Sequence, residues 1–140
     1  MPIGTGNTTV PGCGLHHISV QARDWEASLR FYRDVLGMKP VVEFEVRGRT
    51  MALLDVGDGS HIELCAPLPD TPAPGSPAAN DPILHIALAT TDTRAALEHV
   101  RRAGYAVTVE PRDVDLSGLL VTVAFCKGPN GELIEFFQTR

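Results

Sequence analysis

The sequence predicts an α+β fold of two tandem β-α-β-β-β modules, because one pattern of residues occurs twice along the chain. Each copy opens on a histidine in an alternating, strand-like run, and an aspartate follows seven residues later. Each copy then has an apolar stripe at helical spacing, three strand-like runs and a closing Gly-x-x-Ile-Glu pattern. The residues that mark the copies are His17, Asp24, Gly59 and Glu63 in the first, and His85, Asp92, Gly131 and Glu135 in the second.

In the first copy, residues 15–22 alternate between apolar and polar side chains, which predicts a strand. Asp24 is the expected N-cap of a helix that begins at Trp25, continues to about Leu36 and ends before Gly37. Three further strands are expected where apolar runs lie between short turns. These strands are Lys39–Val46, Arg49–Val56 and His61–Ala66.

The second copy has the same order of signals. It predicts a strand at Ile83–Ala89 and a helix, capped by Asp92 or Thr93, that runs to about Ala103. Residues Pro111–Gly118 are polar and are predicted to form a loop, which would explain why the Glu-to-Glu spacing of 72 residues exceeds the His-to-His spacing of 68. The remaining strands are expected at Ala106–Glu110, Leu119–Cys126 and Leu133–Gln138.

Two segments lie outside the copies and lack apolar periodicity. Residues 1–14 are rich in glycine, threonine and proline and are predicted to form a flexible N-terminal arm. Residues 67–82 contain six prolines and are predicted to form the linker loop between the modules. Module one therefore spans residues 15–66 and module two residues 83–140, and together they are predicted to form a single domain.

Length and composition exclude several classes of function. A chain of 140 residues with 44% hydrophobic residues can bury a core without disulfides or a structural metal. A net charge of −5 argues against nucleic-acid binding. No apolar run has the length of a membrane span and no signal peptide is recognisable, so a cytoplasmic location is expected. The three cysteines lack a C-x-x-C spacing, and Cys65 and Cys126 are predicted to be buried hydrophobic residues.

The four residues that open and close the copies predict a metal site. In each first strand the apolar neighbours of the histidine point to the core, so the histidine faces the other side of the sheet. Each glutamate lies between apolar residues of a strand, where an unpaired carboxylate would be costly. Two imidazoles and two carboxylates suit a divalent first-row metal with open positions for water. The predicted ligands are His17, Glu63, His85 and Glu135.

Each of these residues taken alone has a simpler interpretation. His17 could be a hydrogen-bonded histidine of an ordinary sheet, and Glu63 could pair with Arg49. His16 could replace His17 if the register were shifted by one residue, although the sequence around His17 matches that around His85 better. His61 shares the predicted face of Glu63 and could line the site.

Five segments carry a family resemblance: Leu15–Val20, Ser28–Gly37, His61–Leu64, Leu84–Leu88 and Lys127–Phe136. Over about residues 14–140, the chain resembles the vicinal oxygen chelate superfamily. Its members include glyoxalase I, methylmalonyl-CoA epimerase, fosfomycin-resistance enzymes, extradiol dioxygenases and bleomycin-binding proteins.

The resemblance implies that each module is an open cup of mixed sheet, the glyoxalase-like fold, and that the protein is a homodimer. It also implies a bound divalent ion, Ni, Co, Zn, Mn or Fe, with two ligands from each cup, whether from one chain or from two. The predicted ligand set is similar to that of glyoxalase I, in which the metal stabilises an enediolate and a carboxylate moves the proton. The resemblance implies Glu135 as the catalytic base and Glu63 as its counterpart across the site.

Two positions depart from bacterial glyoxalase I. An arginine four residues after the first histidine is replaced by Gln21, and an asparagine four residues after the first glutamate is replaced by Pro67. The usual glutathione contacts are therefore missing, which argues against the hemithioacetal of glutathione as the substrate. We expect four residues to share the wall of the site: Ser19, Gln21, Cys65 and Ala87.

These features favour a metal-dependent lyase or isomerase that acts on a small α-oxygenated carbonyl compound. One alternative is a protein that sequesters a small molecule, as bleomycin-resistance proteins do, although these generally lack the full ligand set. Another is an Fe(II) ring-cleaving dioxygenase, which needs two histidines and one carboxylate and would leave Glu63 as a surplus ligand.

Overall fold

The computed structural model describes residue 6, residues 8–9, and residues 15–67 and 85–140. The chain divides into two compact units, Met1–Ala73 and Pro74–Arg140, and this division falls within the predicted linker. Most of the predicted arm at 1–14, the linker beyond Pro67 and residues 83–84 of the second module lie outside the described residues. Among those described, no helix combines the length and apolar character needed to cross a membrane.

The first unit contains a four-stranded mixed sheet with a helical segment after its first strand. The sheet order is β1-β4-β3-β2; β1 and β4 are parallel, and the other neighbours are antiparallel. The elements are β1 His17–Gln21, α1 Trp25–Leu29 with a π-helical continuation Arg30–Val35, β2 Lys39–Val46, β3 Arg49–Asp55 and β4 His61–Cys65.

The helix begins where the sequence predicted, but its second half has a wider turn. The Asp24 carboxylate accepts a hydrogen bond from the Ala27 N–H at 3.0 Å, as an N-cap does. The sequence predicted α-helix to about Leu36, whereas residues 30–35 form a π-helix with bonds between residues five apart. The neighbouring Phe31 and Tyr32 are both fully buried there, and their rings meet edge to face. An apolar stripe in the sequence does not distinguish this wider turn from a regular one.

The second unit repeats the topology of the first. Its sheet order is β5-β8-β7-β6, with β5 parallel to β8 and the other neighbours antiparallel. The predicted α+β fold of two β-α-β-β-β modules with mixed sheets is therefore confirmed. The elements are β5 Ile86–Ala89, α2 Thr93–Arg102, β6 Val107–Leu116, β7 Leu119–Lys127 and β8 Leu133–Thr139.

The predicted polar loop at Pro111–Gly118 is wrong, because β6 continues to Leu116. Cross-strand bonds hold these polar residues in the sheet: the Thr122 hydroxyl donates to the Asp113 carboxylate at 2.7 Å. Pro111 has no N–H, but β6 is an edge strand and its register shifts between Val109 and Arg112, so no required ladder bond is lost.

The extra residues of the second copy lengthen a hairpin rather than a loop. Strands β6 and β7 have 10 and 9 residues, against 8 and 7 in β2 and β3. The turn between them is Ser117-Gly118, with positive φ at both positions, and the first hairpin turns at Arg47-Gly48 in the same way. The longer second hairpin follows from two more residues in each strand.

Cys65 and Cys126 are both buried, as predicted. Burial raises the pKa of the Cys126 thiol to about 11, with a smaller contribution from the charge of Glu132. In the unfolded chain the thiol loses its proton near pH 9, whereas the folded protein keeps it. Unfolding therefore releases a proton between about pH 9 and 11, and the free energy of unfolding falls as the pH rises through that range.

We expect Cys126→Ala to reduce the fall in the free energy of unfolding at alkaline pH. The loss due to this thiol is about 3 kcal/mol in total between pH 9 and 11, because one pKa unit corresponds to about 1.4 kcal/mol. Urea unfolding of both proteins under reducing conditions at pH 7, 9, 10 and 11 measures the difference. The same dependence of the free energy of unfolding on pH in both proteins would contradict the prediction, since the other titrating groups are common to both.

Candidate metal centre

His17 and Glu63 form a pair in the first unit. They lie on the neighbouring parallel strands β1 and β4, where Ser19 is the register partner of Glu63 and His17 lies two residues before Ser19. His17 Nε2 is 3.9 Å from Glu63 Oε1, and the side chains are 38% and 15% exposed. The strand alternation predicted from the sequence therefore brings an imidazole and a carboxylate together on one face of the sheet.

Hydrogen bonds surround this first pair. The Ser19 hydroxyl donates to Glu63 Oε1 at 2.7 Å. The Nδ1 atoms of His16 and His17 are 2.8 Å apart, so one of them carries a hydrogen and donates it to the other. When His17 is the donor, its Nε2 keeps the lone pair on the side of Glu63, which is the tautomer that a metal ligand needs.

His85 and Glu135 form the equivalent pair in the second unit. Glu135 lies on β8, and its register partner on the parallel strand β5 is Ala87, two residues after His85. His85 Nε2 is 3.1 Å from Glu135 Oε2, and the side chains are 41% and 11% exposed. The ring of Phe125, the register partner of Glu135 on β7, meets the His85 ring edge to face at 5.5 Å. The surroundings of this pair are therefore more apolar than those of the first.

The donor atoms of each pair suit a divalent first-row metal. Two ligand atoms on one such ion lie roughly 3.0 Å apart at a right angle and roughly 3.4 Å apart at a tetrahedral angle. The His85–Glu135 distance of 3.1 Å falls in that range, and the His17–Glu63 distance of 3.9 Å exceeds it slightly. Within residues 15–67 and 85–140, no three His, Cys, Asp or Glu side chains lie together as a group able to hold a metal. Each pair thus supplies two suitable donors, and the four-ligand set stays a prediction.

Arg49, His61 and Cys65 have contacts of their own. Arg49, the alternative partner of Glu63, donates its Nε–H to the carbonyl of Ala66 at 2.6 Å. His61 is buried, and its Nδ1 lies 3.1 Å from the carbonyl of His16. Cys65 Sγ lies 3.8 Å from Glu63 Oε1, and burial, followed by the Glu63 charge, raises the pKa of this thiol.

Sequence reasoning missed two contacts of the pairs. The sequence indicates His16 only as a substitute for His17, whereas in the structure His16 contacts the His17 ring. The sequence does not indicate Phe125, because its place beside Glu135 depends on the register of β7 against β8. No pattern within a single strand could have shown either contact.

A cleft of about 280 Å³ in the first unit is separate from these residues. It opens between the helical residues Leu29 and Arg33 and the segment Pro40–Glu43 of β2, above Ala52 and Leu54 of β3. None of its lining residues is a predicted ligand.

The residues matched by a known family include both pairs. The sequence model of the Glyoxalase/Bleomycin resistance protein/Dioxygenase superfamily matches residues 14–136. The chain belongs to this superfamily. The resemblance noted in the sequence is therefore confirmed.

Relatives in the superfamily include named enzymes. The chain is 32% identical over 129 residues to the lactoylglutathione lyase of Haemophilus influenzae, covering 89% of this chain and 91% of that enzyme. It is 30% identical over 132 residues to a probable lactoylglutathione lyase of Vibrio parahaemolyticus, covering 89% of each. The crystal structure of a glyoxylase/bleomycin resistance protein/dioxygenase domain from Frankia sp. EAN1pec has a TM-score of 0.78 at 18% identity, over 91% of this chain and 98% of that one. This last likeness shows the fold.

Proposed function

We propose that this protein is a divalent-metal-dependent lyase or isomerase of the glyoxalase I type. Its substrate would be a small α-oxygenated carbonyl compound. The observation that carries the proposal is the recurrence of one His–Glu pair in each unit, at 3.9 Å and 3.1 Å, in a chain similar to lactoylglutathione lyases. Packing alone gives no reason for a histidine and a carboxylate to recur at matching register in both modules.

The four predicted ligands of the ion are His17, Glu63, His85 and Glu135. The two carboxylates offset the charge of a 2+ ion, and the two imidazoles are neutral donors. This donor set suits Ni, Co, Zn, Mn or Fe. When bound, the metal would supply a Lewis acid that polarises the substrate carbonyl. The polarised carbonyl makes the neighbouring C–H more acidic, so a carboxylate at the site could remove that proton.

Glu135 is the proposed base. Its side chain is only 11% exposed and lies beside Ala87 and Phe125, so bulk water has little access to the carboxylate. Its Oε2 faces His85 Nε2, which leaves Oε1 as the expected acceptor of the substrate proton. Glu63 would serve as the opposite carboxylate and as a ligand.

The hemithioacetal of an α-oxoaldehyde and a thiol belongs to the proposed substrate class. The named relatives are a lactoylglutathione lyase and a probable lactoylglutathione lyase. A lactoyl thioester is an isomer of the hemithioacetal that methylglyoxal forms with the same thiol. Gln21 and Pro67 replace the residues that resemblance to glyoxalase I would place against glutathione. Substrate screening should therefore compare methylglyoxal hemithioacetals of glutathione, coenzyme A, cysteine and small synthetic thiols.

We expect the protein to bind one divalent ion per site and to be stabilised by it. A ligand present at a hundred times its Kd raises the free energy of unfolding by about 2.7 kcal/mol. Urea unfolding of chelator-treated protein, before and after addition of Ni, Co, Zn, Mn or Fe(II), measures this shift. The variant His17→Ala/His85→Ala is the control, since it should show a much smaller shift at the same metal concentration.

The outcome decides between the function classes. Metal binding with turnover of a hemithioacetal supports the lyase. Oxygen consumption with Fe(II) and a catechol would favour a dioxygenase. Binding of none of these ions would overturn the proposal and favour a small-molecule-sequestering protein.

We further propose that the protein acts as a homodimer in the cytoplasm. Size-exclusion chromatography with light scattering, with and without metal, tests the assembly: a mass near twice the 15.0 kDa of one chain is expected.

A further inference from the structure

The two His–Glu pairs differ in polarity at one register position. In the first unit the register partner of Glu63 is Ser19, and in the second unit the register partner of Glu135 is Ala87. The backbones are equivalent, since both partners lie on the parallel first strand, two residues after the histidine. One glutamate therefore faces a hydroxyl where the other faces a methyl group.

We propose that Ser19 is a positioning residue that holds the Glu63 carboxylate as a fixed metal ligand. This inference rests on the proposed metal-dependent function and assigns the two carboxylates unequal mobility. Ser19 acts through Glu63 and does not itself bind the ion.

The geometry of the hydrogen bond supports this role. Ser19 Oγ lies 2.7 Å from Glu63 Oε1, a distance typical of a hydroxyl that donates to a carboxylate. The same oxygen faces His17 Nε2 at 3.9 Å, so the bond fixes the atom nearest the imidazole. The Glu63 side chain is only 15% exposed, whereas Ser19 itself lies at the exposed surface of the sheet.

The second unit has no equivalent donor at this position. The Ala87 side chain has no hydrogen-bond donor. The other neighbour of Glu135 in the sheet, Phe125, is apolar, as is Leu53 beside Glu63. The polar contact of the Glu135 carboxylate within the described residues 85–140 is His85. Glu135 thus lacks the hydroxyl donor that restrains Glu63, which suits a group that must take up and return a proton.

Three variants test the inference. Ser19→Ala removes the donor, Ser19→Thr keeps a hydroxyl, and Ala87→Ser adds one beside Glu135. We expect Ser19→Ala to weaken metal binding by about tenfold or more, as loss of an outer hydrogen bond to a ligand commonly does. Ser19→Thr should stay within about threefold of wild type, and Ala87→Ser should bind metal at least as tightly as wild type while lowering kcat.

The measurements separate positioning from a general structural role. Metal affinity is obtained by competition with a chelator, the Co(II) absorption spectrum reports ligand geometry, and urea unfolding of metal-free protein reports the fold. Weaker affinity and an altered Co(II) spectrum in Ser19→Ala, with an unchanged urea midpoint, would support the inference. Unchanged affinity in Ser19→Ala, or an equal loss in Ser19→Thr, would overturn it while leaving the metal site intact. A wild-type protein that binds no metal would overturn the proposed function and this inference together.

Discussion

Replacing Glu135 by glutamine is expected to lower kcat by about 10²- to 10⁴-fold, the usual contribution of a general base. Glutamine has nearly the same shape, but its amide cannot accept a proton at the pH of the reaction. Its oxygen is also a weaker metal ligand than a carboxylate, so metal affinity should fall as well. The side chain is 11% exposed, and its Oε2 is 3.1 Å from His85 Nε2, so the substitution changes chemistry at a place where water cannot replace the lost group.

The assay uses protein saturated with metal, so that loss of turnover is measured apart from loss of the ion. Glu45→Gln is a matched control, because it makes the same change on the exposed strand β2. The control should keep wild-type turnover within a factor of about two, as exposed substitutions generally do. Turnover of Glu135→Gln at the wild-type rate, with the metal site filled, would rule out Glu135 as the base.

Replacing Phe31 by alanine is expected to lower the free energy of unfolding by about 3 to 5 kcal/mol. Phe31 is fully buried, and its ring packs edge to face against that of Tyr32 at 5.0 Å. Alanine would leave a cavity, because the neighbouring side chains of a packed core relax only in part. The residue lies on the π-helical continuation of α1, so the substitution should destabilise the first unit.

Urea unfolding followed by tryptophan fluorescence suits this test, because the chain has one tryptophan, Trp25, at the start of the same helix. Val41→Ala is the control: Val41 is 55% exposed on β2, and its change should stay within about 0.5 kcal/mol. Equal losses in the two variants would mean that Phe31 is not part of a tightly packed core.

The site and the stability of the fold are therefore expected to respond to different residues. Glu135 lies beside His85, Ala87 and Phe125 in the second unit. Phe31 lies among the buried apolar residues of the first unit. This expectation is met if Glu135→Gln keeps the wild-type free energy of unfolding while Phe31→Ala lowers it.

Much of the fold could be predicted from residues alone, because its signals are local. The N-caps Asp24 and Asp92 accept the bonds expected of them, and strand β2 has the predicted bounds. Alternation along β1 and β4 was enough to place His17 and Glu63 on one face, and the repeat extended the same argument to His85 and Glu135. Local periodicity thus determined most of the elements, their order and the face on which each predicted ligand lies.

Other features depend on which strands become neighbours and in what register. Asp113 lies in a strand because it bonds to Thr122 across the sheet, so its polar sequence was misleading. Ser19 contacts Glu63, and Phe125 contacts His85, only because of strand pairings between residues far apart in the chain. The sequence by itself determined two equivalent His–Glu pairs. The tertiary structure decided that the Ser19 hydroxyl donates to Glu63 and that Ala87 and Phe125 flank Glu135. The neighbouring strands set the environment of each side chain.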